Sequence, residues 1–153
     1  MVRSPTLALV VLVGAAAGPA STAPPRTARG AEHELVVKNT DRGTAFSVRL
    51  RSGEVFSVVY QHSIYGQPVT EDFALDEEGH IVLQAVTSPS AAVREYFGIT
   101  SAGERHAIAR TMPEIVFRIA TGTAQRLRAG GVERSFLELG EHGDRLVMSA
   151  HPP

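Results

Sequence analysis

The chain contains no cysteine and no tryptophan, a single lysine (Lys38) and few aromatic residues, 6% in all. Without cysteine there is no disulfide stapling, no thiolate chemistry and no cysteine-containing zinc site. With so few aromatics, the 43% of residues that are hydrophobic must build a core mainly from Val, Leu, Ile and Phe. An excess of either charge is also missing: 15 basic and 16 acidic residues leave a net −1. A balance so near neutral argues against nucleic acid as the main partner. The basic residues other than Lys38 are all arginine, which reflects mainly GC-rich coding. No internal repeat is visible, and no motif points to a cofactor.

Residues 1–23 read as a secretory leader. Arg3 supplies the positive start, and residues 7–17 form an apolar stretch shorter than the roughly 20 residues of a membrane span. Small residues offer a cut after Ala20 or after Ala23. The first is favoured, because the second leaves Pro24 directly after the cut. An uncleaved leader serving as an anchor is the rival reading. A lipoprotein is excluded by the absent cysteine. Residues 24–34, containing Pro, Ala and Arg without periodicity, read as a flexible lead-in. The expected location is therefore periplasmic or on the outer face of the cytoplasmic membrane. Disulfides, available to exported proteins, are not used.

Residues 35–151 are the length of one domain. Short alternating or β-branched runs are separated by turn signals, so the expected fold is all-β: an antiparallel sandwich or partly open barrel with at most one short helix. Strands are expected at 34–38, 45–51, 55–62, 69–75, 80–87, 104–109, 114–120, 124–128, 134–139 and 145–150. The helix is expected at 90–97, with Ser90 as N-cap and Gly98 at its stop. Ser52-Gly53 suits a tight hairpin. A two-residue loop there aligns the His62 face with Ser47 and Arg49, and a three-residue loop aligns it with Phe46 and Val48, so the burial of His62 stays open. Both faces of the 55–62 strand are apolar, which suggests a central strand covered on each side. Residues 140–144 join the last two strands, and residues 151–153 form a frayed end.

One stretch, residues 60–73, combines apolar alternation, a turn and several ionisable side chains. Gly66 and Pro68 punctuate a hairpin connection, and Pro68, lacking an N–H, fits only a strand start or edge. With a loop at 64–67, Ser63 faces Pro68, His62 faces Val69, Tyr60 faces Glu71 and Val58 faces Phe73. Tyr60, His62 and Glu71 then share one face, with His62 the diagonal neighbour of Glu71. A carboxylate on so apolar a face needs partners, and Tyr60 and His62 are at hand.

The pattern Tyr60-x-His62-Ser63, a short loop and Pro68-Val69-x-Glu71-x-Phe73 resembles the signature of a bacterial family of small exported domains of unknown function (domain of unknown function eighteen-fifty). The resemblance runs from about Leu35 onward, and its specific part is that one motif. Members are often encoded beside TAXI-type TRAP transporters, which take up small organic anions with an extracytoplasmic binding protein. The resemblance thus implies a membrane transporter or a small organic anion as partner, and no established activity. The family follows its third strand with a Gly-rich, Pro-ending loop. This chain instead has Ser88-Pro89-Ser90-Ala91-Ala92-Val93-Arg94-Glu95-Tyr96-Phe97-Gly98, so any site built on that loop is its own.

Three roles are open to His62 with Glu71. The residues favour a structural hydrogen bond that locks the hairpin, ahead of ligand binding and then of general-base catalysis. Ser63 is no nucleophile: adjacent strand residues diverge, and there is no Gly-x-Ser-x-Gly elbow. It is expected to cap the turn through its hydroxyl. Arg94 and Tyr96, if their loop folds over the hairpin, are candidate ligand contacts, Arg94 by pairing a carboxylate. Tyr65 at the hairpin tip is a candidate partner contact. The six histidines show no paired metal-ligand spacing such as H-E-x-x-H, so no metal is expected. The leading function is a non-catalytic accessory binding or interaction module. The alternative is a small hydrolase or isomerase using His62 and Glu71 as acid and base.

Overall fold

The computed structural model describes residues 30–153. The leader expected over residues 1–23, and most of the lead-in, lie outside the described residues. The first strand, β1 (Glu32–Asn39), opens earlier than expected and takes the end of the lead-in into the fold. Alternation explains this: His33, Leu35, Val37 and Asn39 are all buried and face one way.

The strands that follow are β2 (Ala45–Arg51), β3 (Val55–Gln61), β4 (Pro68–Leu75) and β5 (Ile81–Thr87). After the helix α1 (Ala91–Tyr96) come β6 (Arg105–Met112), β7 (Glu114–Arg118), β8 (Arg126–Ala129), β9 (Val132–Ser135) and β10 (Arg145–His151). They form two antiparallel sheets, ordered β2-β1-β10-β7 and β6-β5-β4-β3-β8-β9. The fold is an all-β sandwich, with no closed barrel. Leu35, Val37, Leu146 and Met148 of the first sheet meet Phe56, Val58, Phe73 and Leu127 of the second, all essentially without solvent contact. The rings of Phe56 and Phe73 stack at 5.5 Å, and those of Phe117 and Phe136 pack at 5.3 Å.

The Ser52-Gly53 turn is not a hairpin. β2 and β3 lie in different sheets, so neither alignment expected for them arises. The turn is a corner: Ser52 N–H donates to Ala31 O and Gly53 N–H to Leu75 O, tying the corner to both sheets. His33 sits beneath it. Its Nε2 lies 3.2 Å from the Ser52 hydroxyl, which is also within reach of Asp76 O at 3.0 Å. With the Ser52 proton directed to Asp76 O, the His33 proton is on Nε2. Nδ1, buried without a partner, is then a bare acceptor rather than a stranded donor. Nor is β3 covered on both faces, for Val55 is 53% exposed.

Three later boundaries also differ. The 134–139 run splits into β9 and a 3-10 turn, Phe136–Glu138, because Ser135 and Glu138 form a capping box that bends the chain inward at Phe136. Residues 140–144 do join the last two strands, but across sheets. His151 is a strand residue opposite Glu34 rather than part of a frayed end. The helix is as expected: the Ser90 hydroxyl accepts from Val93 N–H, and Gly98 takes φ +74° just past its end.

Candidate functional site

The hairpin register settles which side chains meet. Gln61 faces Pro68, Tyr60 faces Val69, Val58 faces Glu71 and Phe56 faces Phe73. The expected pairing, with His62 opposite Val69, is thus off by two residues. The connection covers residues 62–67 rather than 64–67. A shift of two keeps every side chain on its expected face, whereas a shift of one inverts them all. Tyr60 and Glu71 therefore still share the inner face, now as diagonal neighbours. The Tyr60 phenol donates a short hydrogen bond to Glu71 Oε1. Burial pushes the Glu71 carboxyl above its ordinary range, an effect only partly offset by the Tyr60 hydrogen bond and the Arg110 charge. Burial, and then the neighbouring Glu71 charge, push the Tyr60 phenol up as well.

His62 has left that face. It falls in the connection, where its backbone N–H donates to Gln67 O and its C=O accepts from Gly66 N–H. Gly66 sits at φ +61°, which suits glycine. The His62 ring is 6% exposed. Its Nδ1 accepts from Ile64 N–H at 3.3 Å. It packs against Tyr65 at 5.0 Å and meets the edge of Tyr96 at 4.8 Å. No hydrogen bond joins His62 to Glu71 among the described residues. The turn-capping role expected of Ser63 belongs to His62, whose Nδ1 takes the Ile64 N–H: Ser63 is exposed and its hydroxyl makes no hydrogen bond among the described residues. Pro68 opens β4, where its missing N–H is not needed.

The loop after β5 does fold over the hairpin, through Tyr96. Arg94 does not reach toward a ligand. Its Nη1 donates to Ser88 O and Pro89 O, each at 3.1 Å, and so ties the start of its own helix. Tyr96 is 65% exposed and Tyr65 43% exposed. With Tyr60, His62, Arg118 and Gln125, Tyr96 lines a shallow cleft of about 310 Å³.

Glu71 opens into a different space. Between the sheets, at the side where β6 and β7 form the edges, lies a cavity of about 440 Å³. Phe73, Leu83, Ile108, Met112 and Ile115 wall it, and the Phe97-Gly98-Ile99 segment after α1 covers it. Its polar side chains are Glu71 and Arg110. Arg110 makes no hydrogen bond or ion pair among the described residues. Sequence reasoning missed this residue because the strand was expected to stop at 109. The available signal was the alternation of His106, Ile108, Arg110 and Met112, which puts the arginine on the cavity side of the strand, where it is exposed at the rim. β5 carries one extra residue against β4 between Leu83 and Ala85, and β6 carries one extra against β5 at the same level. Such bulges re-aim side chains, here next to the cavity.

Asp76, Glu78 and His80 form a group whose donor atoms lie within 4.8 Å of one another. Asp76 is already engaged in the β4–β5 turn. Its Oδ1 accepts from the backbone N–H groups of Glu78 and His80, and its Oδ2 lies 3.1 Å from His80 Nδ1. The group is a turn staple. No family model, no curated protein and no solved structure matches the chain.

Proposed function

We propose that this chain is a non-catalytic binding module that works outside the cytoplasmic membrane and holds a small organic anion between its sheets, as an accessory to a TRAP-type uptake system. The observation that carries the reading is Arg110: an exposed guanidinium with no partner among the described residues, at the rim of a cavity of about 440 Å³ that is apolar apart from Glu71. Cavities of that size with one or two convergent polar groups are the usual form of small-ligand sites. Arginine's planar fork matches a carboxylate. The setting outside the membrane and the link to uptake come from the hairpin motif and the leader. Catalysis is the weaker reading. It relied on His62 as a base oriented by Glu71, and His62 instead faces Tyr65 and Tyr96. An acid/base site needs base and orienting group in hydrogen-bond reach.

A thermal-shift screen of small carboxylates with apolar bodies, amino acids included, tests the proposal. Compounds that raise the melting temperature of the wild type and lose the effect on Arg110→Gln support it. No stabilisation by any of them, or equal stabilisation of the variant, overturns it. The setting is tested by expressing the full chain. A product outside the cytoplasm, shortened by about 20 residues, is expected, and a full-length cytoplasmic product would refute it.

A further inference from the structure

Glu71 and Arg110 line the same cavity from two strands of one sheet. Arg110 shares a rung with Leu83 and Phe73, across β5, and Glu71 stands two residues along β4 from Phe73. At a strand spacing of roughly 4.8 Å and a rise of roughly 3.3 Å per residue, the two α-carbons are about 12 Å apart. A glutamate and an extended arginine close most of that distance. No hydrogen bond or ion pair joins the two side chains among the described residues, which leaves the space between them to a small polar head group. The Glu71 carboxyl is half used. Oε1 accepts from the Tyr60 hydroxyl, whereas Oε2 has no protein partner and is not among the fully buried unpaired atoms. Oε2 therefore keeps some exposure, on a side chain that lines the cavity, and is an acceptor without a donor among the described residues.

A simple monocarboxylate satisfies only half of this arrangement. Its carboxylate meets Arg110, but it presents no donor to Glu71 and brings a second carboxylate beside the first. An amine alone satisfies Glu71 and leaves the guanidinium unmatched. A molecule with an ammonium and a carboxylate on neighbouring atoms, and an apolar remainder, satisfies both groups and fills the walls of Phe73, Leu83, Ile108, Met112 and Ile115.

We infer that the ligand of this cavity is an α-amino acid with an apolar side chain, its carboxylate on Arg110 and its ammonium on Glu71 Oε2. The inference rests on the reading of the cavity as an organic-anion site and names the class within it.

Calorimetric titration of the purified protein with leucine, methionine and phenylalanine, each beside its deaminated and its decarboxylated analogue, tests it. For leucine these are 4-methylpentanoate and 3-methylbutylamine. At least one amino acid should bind at least tenfold more tightly than either analogue. Glu71→Gln should weaken that amino acid at least tenfold while leaving the deaminated acid unchanged or tighter. Arg110→Gln should weaken both. If the deaminated acid binds the wild type as tightly as the amino acid, the zwitterion assignment falls and the organic-anion reading stands. If the amine alone binds as tightly, or no carboxylate binds, both fall. Should Glu71→Gln not fold, the three-way comparison on the unaltered protein decides alone.

Discussion

Replacing Tyr60 with Phe removes one oxygen atom and leaves the ring, so packing is nearly unchanged and the Tyr60–Glu71 hydrogen bond is isolated. The magnitude depends on the charge of Glu71. When the carboxyl is ionised, the bond is charge-assisted, and its loss costs about 1.5–3 kcal/mol. When the carboxyl is protonated, the bond is neutral and worth about 0.5–1.5 kcal/mol. Burial holds the folded pKa of Glu71 above 4.5, the ordinary value to which it returns on unfolding, and the Tyr60 hydrogen bond pulls it back down. A group raised in this way contributes stability below its unfolded pKa, and that stability is lost as pH rises through the folded value. Removing the phenol raises the folded value further and enlarges the loss. The destabilisation by Tyr60→Phe should therefore be about 1 kcal/mol larger at pH 8 than at pH 4.5. Urea denaturation of both proteins at both pH values measures this. A second comparison in a Glu71→Gln background should show no pH dependence. Equal or greater destabilisation at pH 4.5 would mean that the phenol does not act on an ionisable Glu71 and would refute the account of the pair.

Three further outcomes are expected. His62→Ala should destabilise the fold by about 1–3 kcal/mol, through loss of the bond from Ile64 N–H and the packing on Tyr96; because His62 faces away from the inter-sheet cavity, ligand-induced thermal shifts should be unchanged. Asp144 is held down at about 2 by the Glu141 N–H, then by Asn39 and Arg42. Its stabilisation is present above 3.8, its ordinary value, and is lost as pH falls toward 2, so Asp144→Asn should flatten the acid limb of a urea-midpoint profile in that window. A Cβ on Gly140 would lie 2.3 Å from both Asn39 Nδ2 and Asp144 Oδ2; Gly140→Ala should cost about 1–3 kcal/mol in urea denaturation by forcing that network apart.

The fold class was legible because it rests on short-range patterns. Phe46, Val48 and Leu50, or Ile115 and Phe117, alternate whatever they pair with, and Ser90 and Gly98 bracket a helix by local chemistry. Pairing was less legible. Ser52-Gly53 offers the same turn chemistry to a hairpin and to a corner, and the choice is made by the neighbours: β1 takes β2 across the 40–44 turn, while β4 and the distant β8 take β3. The connection ahead of Pro68 admits four or six residues. Either length puts Tyr60 and Glu71 on one face, so that pair was readable. His62 was not, because the longer connection removes it from the strand. Arg110 was hidden for a third reason: the strand was expected to end at Ala109, one residue short of it, and runs on to Met112.

The difference between scaffold and site is visible in how polar groups inside the sandwich are satisfied. Asn39 is wholly buried, and its side chain is fully occupied. Oδ1 accepts from the N–H groups of Asp41 and Arg42, and Nδ2 donates to Leu139 O and Asp144. That network closes on itself and leaves nothing for a ligand. Glu71 and Arg110 break the pattern. Glu71 stands half-buried on the inner face of one sheet and Arg110 exposed at the rim of the same cavity, with one carboxyl oxygen and the guanidinium unmatched among the described residues. A carboxylate among Phe73, Leu83 and Ile108 raises the free energy of the fold unless it is answered, and Tyr60 answers only one of its oxygens. Sequences break their own inside–outside rule chiefly where function requires it. Glu71 is such a break, and Arg110, exposed at the rim of the same cavity, sets the opposite charge beside it.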